Sequence, residues 1–210
     1  MTSSSINTIN IINIYSPSEL DLLCSQNAEV KLHPSFQMNQ LKSGETFIAI
    51  VPEARAWGDG LNSAVITSDN KVLTDISSGI LELIMSSCKL FPAHKLNGTI
   101  AFLSVKFGGA CYYHWMFDIV ARISLLYQTS IDISTIDKFV VNKFQTKFHK
   151  ETIKELGIPE NKIVESCNYP HIQANRLIVP SIPVNSGFRI AKWTCKSVSY
   201  THLRAHETSE

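Results

Sequence analysis

The hydrophobic positions of this chain change their rhythm near residue 95. Before it they come in short runs: T-F-I-A-I-V over 46–51, A-V-I-T over 64–67 and K-V-L-T over 71–74. Runs of that length, rich in β-branched residues and bounded by polar clusters, predict strands. Asp69-Asn70 between the last two predicts a hairpin, and Gly58-Asp59-Gly60 predicts a turn. Upstream, Ser16-Pro17-Ser18-Glu19 offers a cap and an acidic first turn, which predicts a short helix over 18–26. The Ile/Asn-rich residues 1–17 read as a short strand or as irregular chain.

Beyond Pro92 the signals alternate. G-T-I-A-F-L-S-V over 98–105 is a continuous apolar run, as a buried parallel strand requires. A helix over 112–127 follows, then a strand over 138–141 and a helix over 147–156 closed by Gly157 and Pro159. Short strands over 162–164 and 176–179 complete the series. This alternation predicts an α/β fold with a Rossmann-like parallel layer. The expected organisation is a β-rich segment 1–95, a Rossmann-like domain 96–183 and the start of a linker at 184–196.

The segment F-G-G-A-C-Y-Y-H-W-M-F-D-I-V-A-R-I-S-L-L-Y, residues 107–127, carries the candidate chemistry. His114, Asp118 and Arg122 recur every four residues, which stacks them on one face of a helix. The other faces are apolar, so these groups are costly to bury unless they pair or work.

The run Y-Y-H-W-x-x-D-x-x-x-R resembles the signature of glycosyltransferase family 61, which includes capsular polysaccharide enzymes. Ala121 stands where the family usually has Pro before the Arg. The segments Ala54 to Asp75, Ile136 to Val141, Phe148 to Val164 and His171 to Pro183 are similar to the family's in the same order, covering roughly Ala54 to Lys196. The resemblance implies the acceptor-side, N-terminal half of a two-domain GT-B-type enzyme. It also implies inverting, metal-independent transfer from a nucleotide sugar to a glycan or polysaccharide acceptor, with no cofactor.

Glycosyl transfer needs a base for the acceptor hydroxyl, polar groups for the leaving diphosphate, and exclusion of water. His114 suits the base, because imidazole ordinarily titrates near neutral pH. Asp118 either orients that ring or is itself the base. Arg122 is expected to pair with Asp118 and fix the helix. Gly108 and Gly109 lack phosphate-loop spacing and read as close packing of strand on helix. Tyr112 and Tyr113 are candidates for stacking on a sugar, Trp115 reads as core, and Arg55 and Asp59 are expected to line the same cleft as His114.

Composition narrows the field. A formal net charge of +1, with basic residues scattered, gives no footprint for nucleic acid. The five cysteines form no C-x-x-C pair and no zinc spacing, and no D-x-D metal site stands out. They read as reduced thiols in a cytoplasmic protein. No leader or membrane span is evident, while peripheral contact with a membrane stays open.

Residues 197–210 resemble a translated sequencing adapter and are expected to be foreign, which sets aside the His202/His206 pair. The native chain is then expected to continue past Lys196, and residues 1–196 alone to be inactive. Two other readings stand beside glycosyl transfer. One is a non-catalytic carbohydrate-binding or scaffold domain. The other is an acyltransferase of the H-x-x-x-D type, against which Ile119 stands where Gly is usual.

Overall fold

The computed structural model describes residues 8–17, 19–20, 41–42, 44–87, 89–183 and 193–199. Among these residues ten strands are present: β1 (Asn10–Tyr15), β2 (Glu19–Leu20), β3 (Leu41–Lys42), β4 (Thr46–Pro52), β5 (Arg55–Gly58), β6 (Ser63–Ile66), β7 (His94–Phe102), β8 (Lys138–Val141), β9 (Ile163–Glu165) and β10 (His171–Pro180). Helices are α1 (Leu81–Met85), α2 (Tyr112–His114), α3 (Ala121–Tyr127) and α4 (Lys147–Glu155), and residues 193–199 are also helical.

Eight strands form one mixed sheet in the order β1-β4-β10-β7-β8-β9, with β5 pairing β10 and β6 pairing β5. The strands β10, β7, β8 and β9 are mutually parallel, whereas β1, β4, β5 and β6 pair antiparallel. The fold is thus α/β, but half of its sheet is antiparallel. From β7 the chain steps outward to β8 and β9 and then returns to β10 on the other side of β7. The strand order therefore reverses between β7 and β10, the kind of place where a crevice opens at the carboxyl ends of parallel strands. Position 95, expected to separate a lead-in from the α/β layer, lies inside β7, and β4 and β5 both pair β10.

The sheet bends along one line. Glu53 (φ 48) interrupts β4 and β5, Gly98 (φ 92) interrupts β7, and the β7–β10 register shifts between Ala174 and Arg176. Asn175 ties the line. Its backbone carbonyl accepts from Glu53 N at 2.8 Å, and its side-chain Oδ1 accepts from Gly98 N at 3.0 Å. Gly98 is needed here twice over, for its positive φ and because a Cβ would collide with Asp137 Oδ2. Beyond the bend, β5 and β6 fold back over one face of the sheet. A Cβ on Gly58 would stand 2.9 Å from Ser104 Oγ, and Ser63 Oγ donates to Ser104 O at 2.6 Å.

Each face of the sheet has its own core. One packs Ile48, Leu103, Phe139 and Ile178 against Trp115, Met116, Ile119, Ile123 and Ile153 of the helices. The other packs Ile100, Phe102, Val140, Leu177 and Val179 against Ala54, Ala56, Val65 and Ile76 of the folded-back strands and the turns beside them. Burying each such large side chain contributes roughly 1.5–3 kcal/mol.

Several local expectations hold. Thr67 N bonds Lys71 O at 2.9 Å and Ile66 bridges Val72, so the hairpin around Asp69-Asn70 forms. Its second arm shrinks to that bridge before a 3₁₀ turn at Thr74–Ile76. Helix α4 ends at Glu155, with Leu156 as cap and Gly157 at φ 74. The helix expected over 18–26 is corrected in part: Glu19 and Leu20 pair with Lys42 and Leu41 as a two-residue ladder. Capping propensity is a weak local preference that strand pairing overrides. Residues 21–26 and 200–210 lie outside the described residues, as do 184–192, the stretch expected to open the linker.

Trp115 is fully buried, with Nε1 donating to Thr152 Oγ1 at 2.8 Å and its ring stacked 4.1 Å from His149. The His149 Nδ1 accepts from Gln145 N at 3.1 Å, which requires a neutral ring. Burial holds the His149 pKa below its ordinary value, and the first turn of α4 disfavours a cation. A depressed histidine contributes stability that is whole above its unfolded pKa and lost as pH falls through the folded one. The urea midpoint is therefore expected to fall between about pH 7 and about pH 5. His149→Gln should flatten that slope, and an unchanged slope in the variant would refute the assignment.

Candidate functional site

The helix expected over 112–127 is present but not uniformly α-helical. Trp115–Val120 is a π-helical segment between α2 and α3, with Ala121 N bonding Met116 O. Such segments widen the helix by one residue per turn and occur often at functional sites. Here the widening accompanies burial on nearly every side: Trp115, Met116, Asp118, Ile119 and Val120 are all buried.

His114 and Asp118 meet as their spacing predicts, His114 Nδ1 lying 2.7 Å from Asp118 Oδ2. Their exposures differ. The Asp118 side chain is 5% exposed and the His114 side chain 21%. Burial raises the Asp118 pKa, opposed by the hydrogen bond and charge of His114 and by the more distant charge of Arg122. Its second oxygen, Oδ1, is buried with no hydrogen-bond partner among the described residues. With Nδ1 occupied by the carboxyl group, Nε2 is the ring nitrogen left for other chemistry. The arrangement can orient an imidazole and steady a proton on it.

Arg122 does something other than expected. It is 1% exposed and makes no salt bridge to Asp118. Its Nε donates to Pro180 O at 2.9 Å, Nη1 to Leu103 O at 3.0 Å and Nη2 to Phe102 O at 3.2 Å. Those carbonyls belong to the carboxyl ends of β7 and β10, where the strand order reverses. The guanidinium is thus a clasp between two neighbouring strands. Desolvation draws its pKa down to about 10, with Asp118 opposing, and it stays charged at neutral pH.

The loop into the helix is packed tightly. A Cβ on Gly108 would collide with Asn142 Oδ1, and one on Gly109 would lie 2.5 Å from Lys143 O. The Asn142 amide in turn grips Val105, accepting from its N at 2.9 Å and donating to its O at 2.8 Å. The two glycines serve close approach of loop and strand end. Phe107 (φ 58) bonds through its N to Gly60 O at 2.8 Å, which joins the Gly-rich turn to this loop.

Tyr112 is exposed and stacks on Phe148 at 5.1 Å, while the Tyr113 ring lies edge-on to His114 at 5.4 Å. Burial and then the charge of Asp118 push the Tyr113 pKa up. Tyr113 thus lies against His114, whereas Tyr112 packs on α4. Asp59 is committed to its own turn, accepting from Trp57 Nε1, Leu61 N and Asn62 N. Arg55 faces a cavity lined by Ile66, Asn70, Phe91, His171 and Gln173, with no residue of the motif helix. Asp59 lines an adjoining cavity that shares Ile84, Ser87, Leu90 and Phe91 with it. Arg55 and Asp59 were expected to share a cleft with His114, but each lines a different cavity and neither cavity includes a residue of the motif helix.

His171 was not singled out by any motif. A lone histidine opening an apolar strand carries no spacing signal, and its surroundings become visible only through pairing with β5. Among the described residues no group of three or more His, Cys, Asp or Glu is placed to hold a metal, and Cys111, Cys167 and Cys195 are free thiols. No helix among the described residues is long and apolar enough to cross a membrane. Comparison with known proteins gave no matching family model, no matching curated protein and no matching solved structure.

Proposed function

We propose that this protein is an inverting glycosyltransferase resembling family 61, with this chain forming a Rossmann-like, acceptor-side half of a GT-B-type enzyme. The observation that carries the reading is the His114–Asp118 pair, at the carboxyl-end side of the parallel half of the sheet, with the carboxyl group buried and the imidazole partly open. In this reading His114 Nε2 takes the proton of an acceptor hydroxyl. The freed oxygen attacks the anomeric carbon of a nucleotide sugar, and the nucleoside diphosphate departs with the bonding electron pair. A single displacement inverts the anomeric centre. Tyr112 and Tyr113 flank the acceptor sugar, and the reaction serves surface polysaccharide assembly in the cytoplasm, at or near the membrane. No metal is assigned a role.

The test is acceptor binding followed at the base. Oligosaccharides from surface polysaccharides are expected to shift the NMR signals of the His114 ring nitrogens, and an acyl-coenzyme A is expected to leave them unmoved. A response to acyl-coenzyme A alone would replace this reading with acyl transfer. Silence toward every glycan would sink it.

A further inference from the structure

The motif helix does not account for a second polar centre on the folded-back strands. In the pairing of β5 with β10, Trp57 stands opposite His171 and Arg55 opposite Gln173, while β6 sets Ile66 opposite Arg55. Alternate residues of a strand share a face. Arg55, Trp57, His171 and Gln173 are therefore on one side of this ribbon, and α1 with the segment after it closes over Arg55, His171 and Gln173 as a cavity of about 780 Å³. That size lies within the usual range of small-molecule sites.

Two groups in its wall lack partners of the kind they need. Among the described residues Arg55 makes no salt bridge, and its side-chain bond is from Nη2 to Asn70 Oδ1, which leaves most of its donors unused. His171 is 5% exposed, and its Nδ1 bonds the Phe91 carbonyl. A carbonyl can only accept, so Nδ1 carries the hydrogen and, in the neutral ring, Nε2 keeps the lone pair. Burial favours that neutral ring. Nε2 is buried with no hydrogen-bond partner among the described residues. An orphaned buried acceptor is costly, and a ligand donor would relieve it.

We propose that this cavity binds a monoanionic hydroxy-carboxylate of about the size of a sugar acid, its carboxylate on Arg55 and a hydroxyl donating to His171 Nε2. Charge selects the class. Arg55 is the one charged residue among the described residues of the lining, and in the adjoining cavity Lys89 and Asp59 offset each other. A single guanidinium matches one carboxylate bidentately, whereas a phosphate dianion would remain half compensated. Asn70 and Gln173 supply further polar contacts, and Ile84, Leu90 and Phe91 give an apolar wall for a ring face.

The proposal is independent of the His114 chemistry and is tested without any transfer reaction. D-Glucuronate, D-galacturonate and lactate are titrated against the protein, with D-glucose and acetate as the two halves of the ligand. At least one hydroxy-acid is expected to bind and to shift the ring-nitrogen NMR signal of His171, with glucose and acetate at least about tenfold weaker. Arg55→Met sits on a partly exposed strand position and should fold normally. It is expected to reduce hydroxy-acid affinity at least about tenfold, to the level of glucose. Equal binding of glucuronate and glucose, binding unaffected by Arg55→Met, binding without a His171 response, or no binding by any of the three acids would each overturn it.

Discussion

Replacing Arg122 with leucine is expected to cost about 3–5 kcal/mol of folding stability, read as a fall in the urea midpoint. Two large terms compete. Burying a guanidinium costs several kcal/mol after relaxation, and three charge-assisted bonds to backbone carbonyls return roughly 1.5–3 kcal/mol each. In the native protein these nearly balance, and the persistence of the charge at neutral pH follows from a pKa of about 10. Leucine removes the desolvation cost but leaves the carbonyls of Phe102, Leu103 and Pro180 without the donors they face. Each orphaned buried acceptor costs about 1–3 kcal/mol. Against a total of about 5–15 kcal/mol for an ordinary domain, that loss is large. Arg122→Lys should recover only a fraction, because an ammonium is a point donor and cannot span the fork. A midpoint unchanged within error in Arg122→Leu would show that the clasp adds nothing.

The same residue marks the limit of what the sequence could say. The four-residue spacing of His114 and Asp118 is a local geometric fact, and their contact is legible in that spacing alone. The spacing of Asp118 and Arg122 is identical, yet that pair does not form. The competing acceptors are main-chain carbonyls of β7 and β10, up to 58 positions away in the chain. Every residue has such a carbonyl, so no residue type announces it. The π-helical turn was hidden for a similar reason, since it answers to burial around Trp115–Val120 and not to spacing.

Elements whose signals are local emerged close to expectation: the hairpin around Asp69-Asn70, α4 with its glycine end, and the strand at 138–141, whereas the short strand expected at 176–179 is the second half of the ten-residue β10. What stayed dark was how they assemble. Gly98 reads in sequence as the first residue of an apolar strand, whereas it is the bend at which β7 folds over. The partner that fixes this bend, Asn175, looks like a polar interruption in a strand until its amide is seen bridging Gly98 and Glu53. Because β5 and β6 fold back at that line, Arg55 faces His171 and not the motif helix. Long-range pairing thus separated two groups of candidates that motif reading had joined.

On the proposed reading of glycosyl transfer, His114→Ala is expected to lower kcat by about 10²–10⁴ in the gene product as its cell makes it, with acceptor affinity little changed. On that reading the exposures favour His114 as the base: Asp118 is sealed in, and the imidazole retains an open edge. Added imidazole should restore part of the rate to His114→Ala and none to Asp118→Asn. The asparagine can present its amide to Nδ1 and stabilise the wrong tautomer, so a loss of rate is expected there as well. Stability moves the other way. A buried carboxyl whose folded pKa is raised contributes most below its unfolded value near 3.8 and loses that contribution as pH rises through the folded value. Asp118→Asn, which never ionises, should therefore gain stability relative to the parent as pH is raised above that point. A variant that lost rate and stability together at neutral pH would identify Asp118 as scaffold alone. Full activity in His114→Ala would remove His114 as the base.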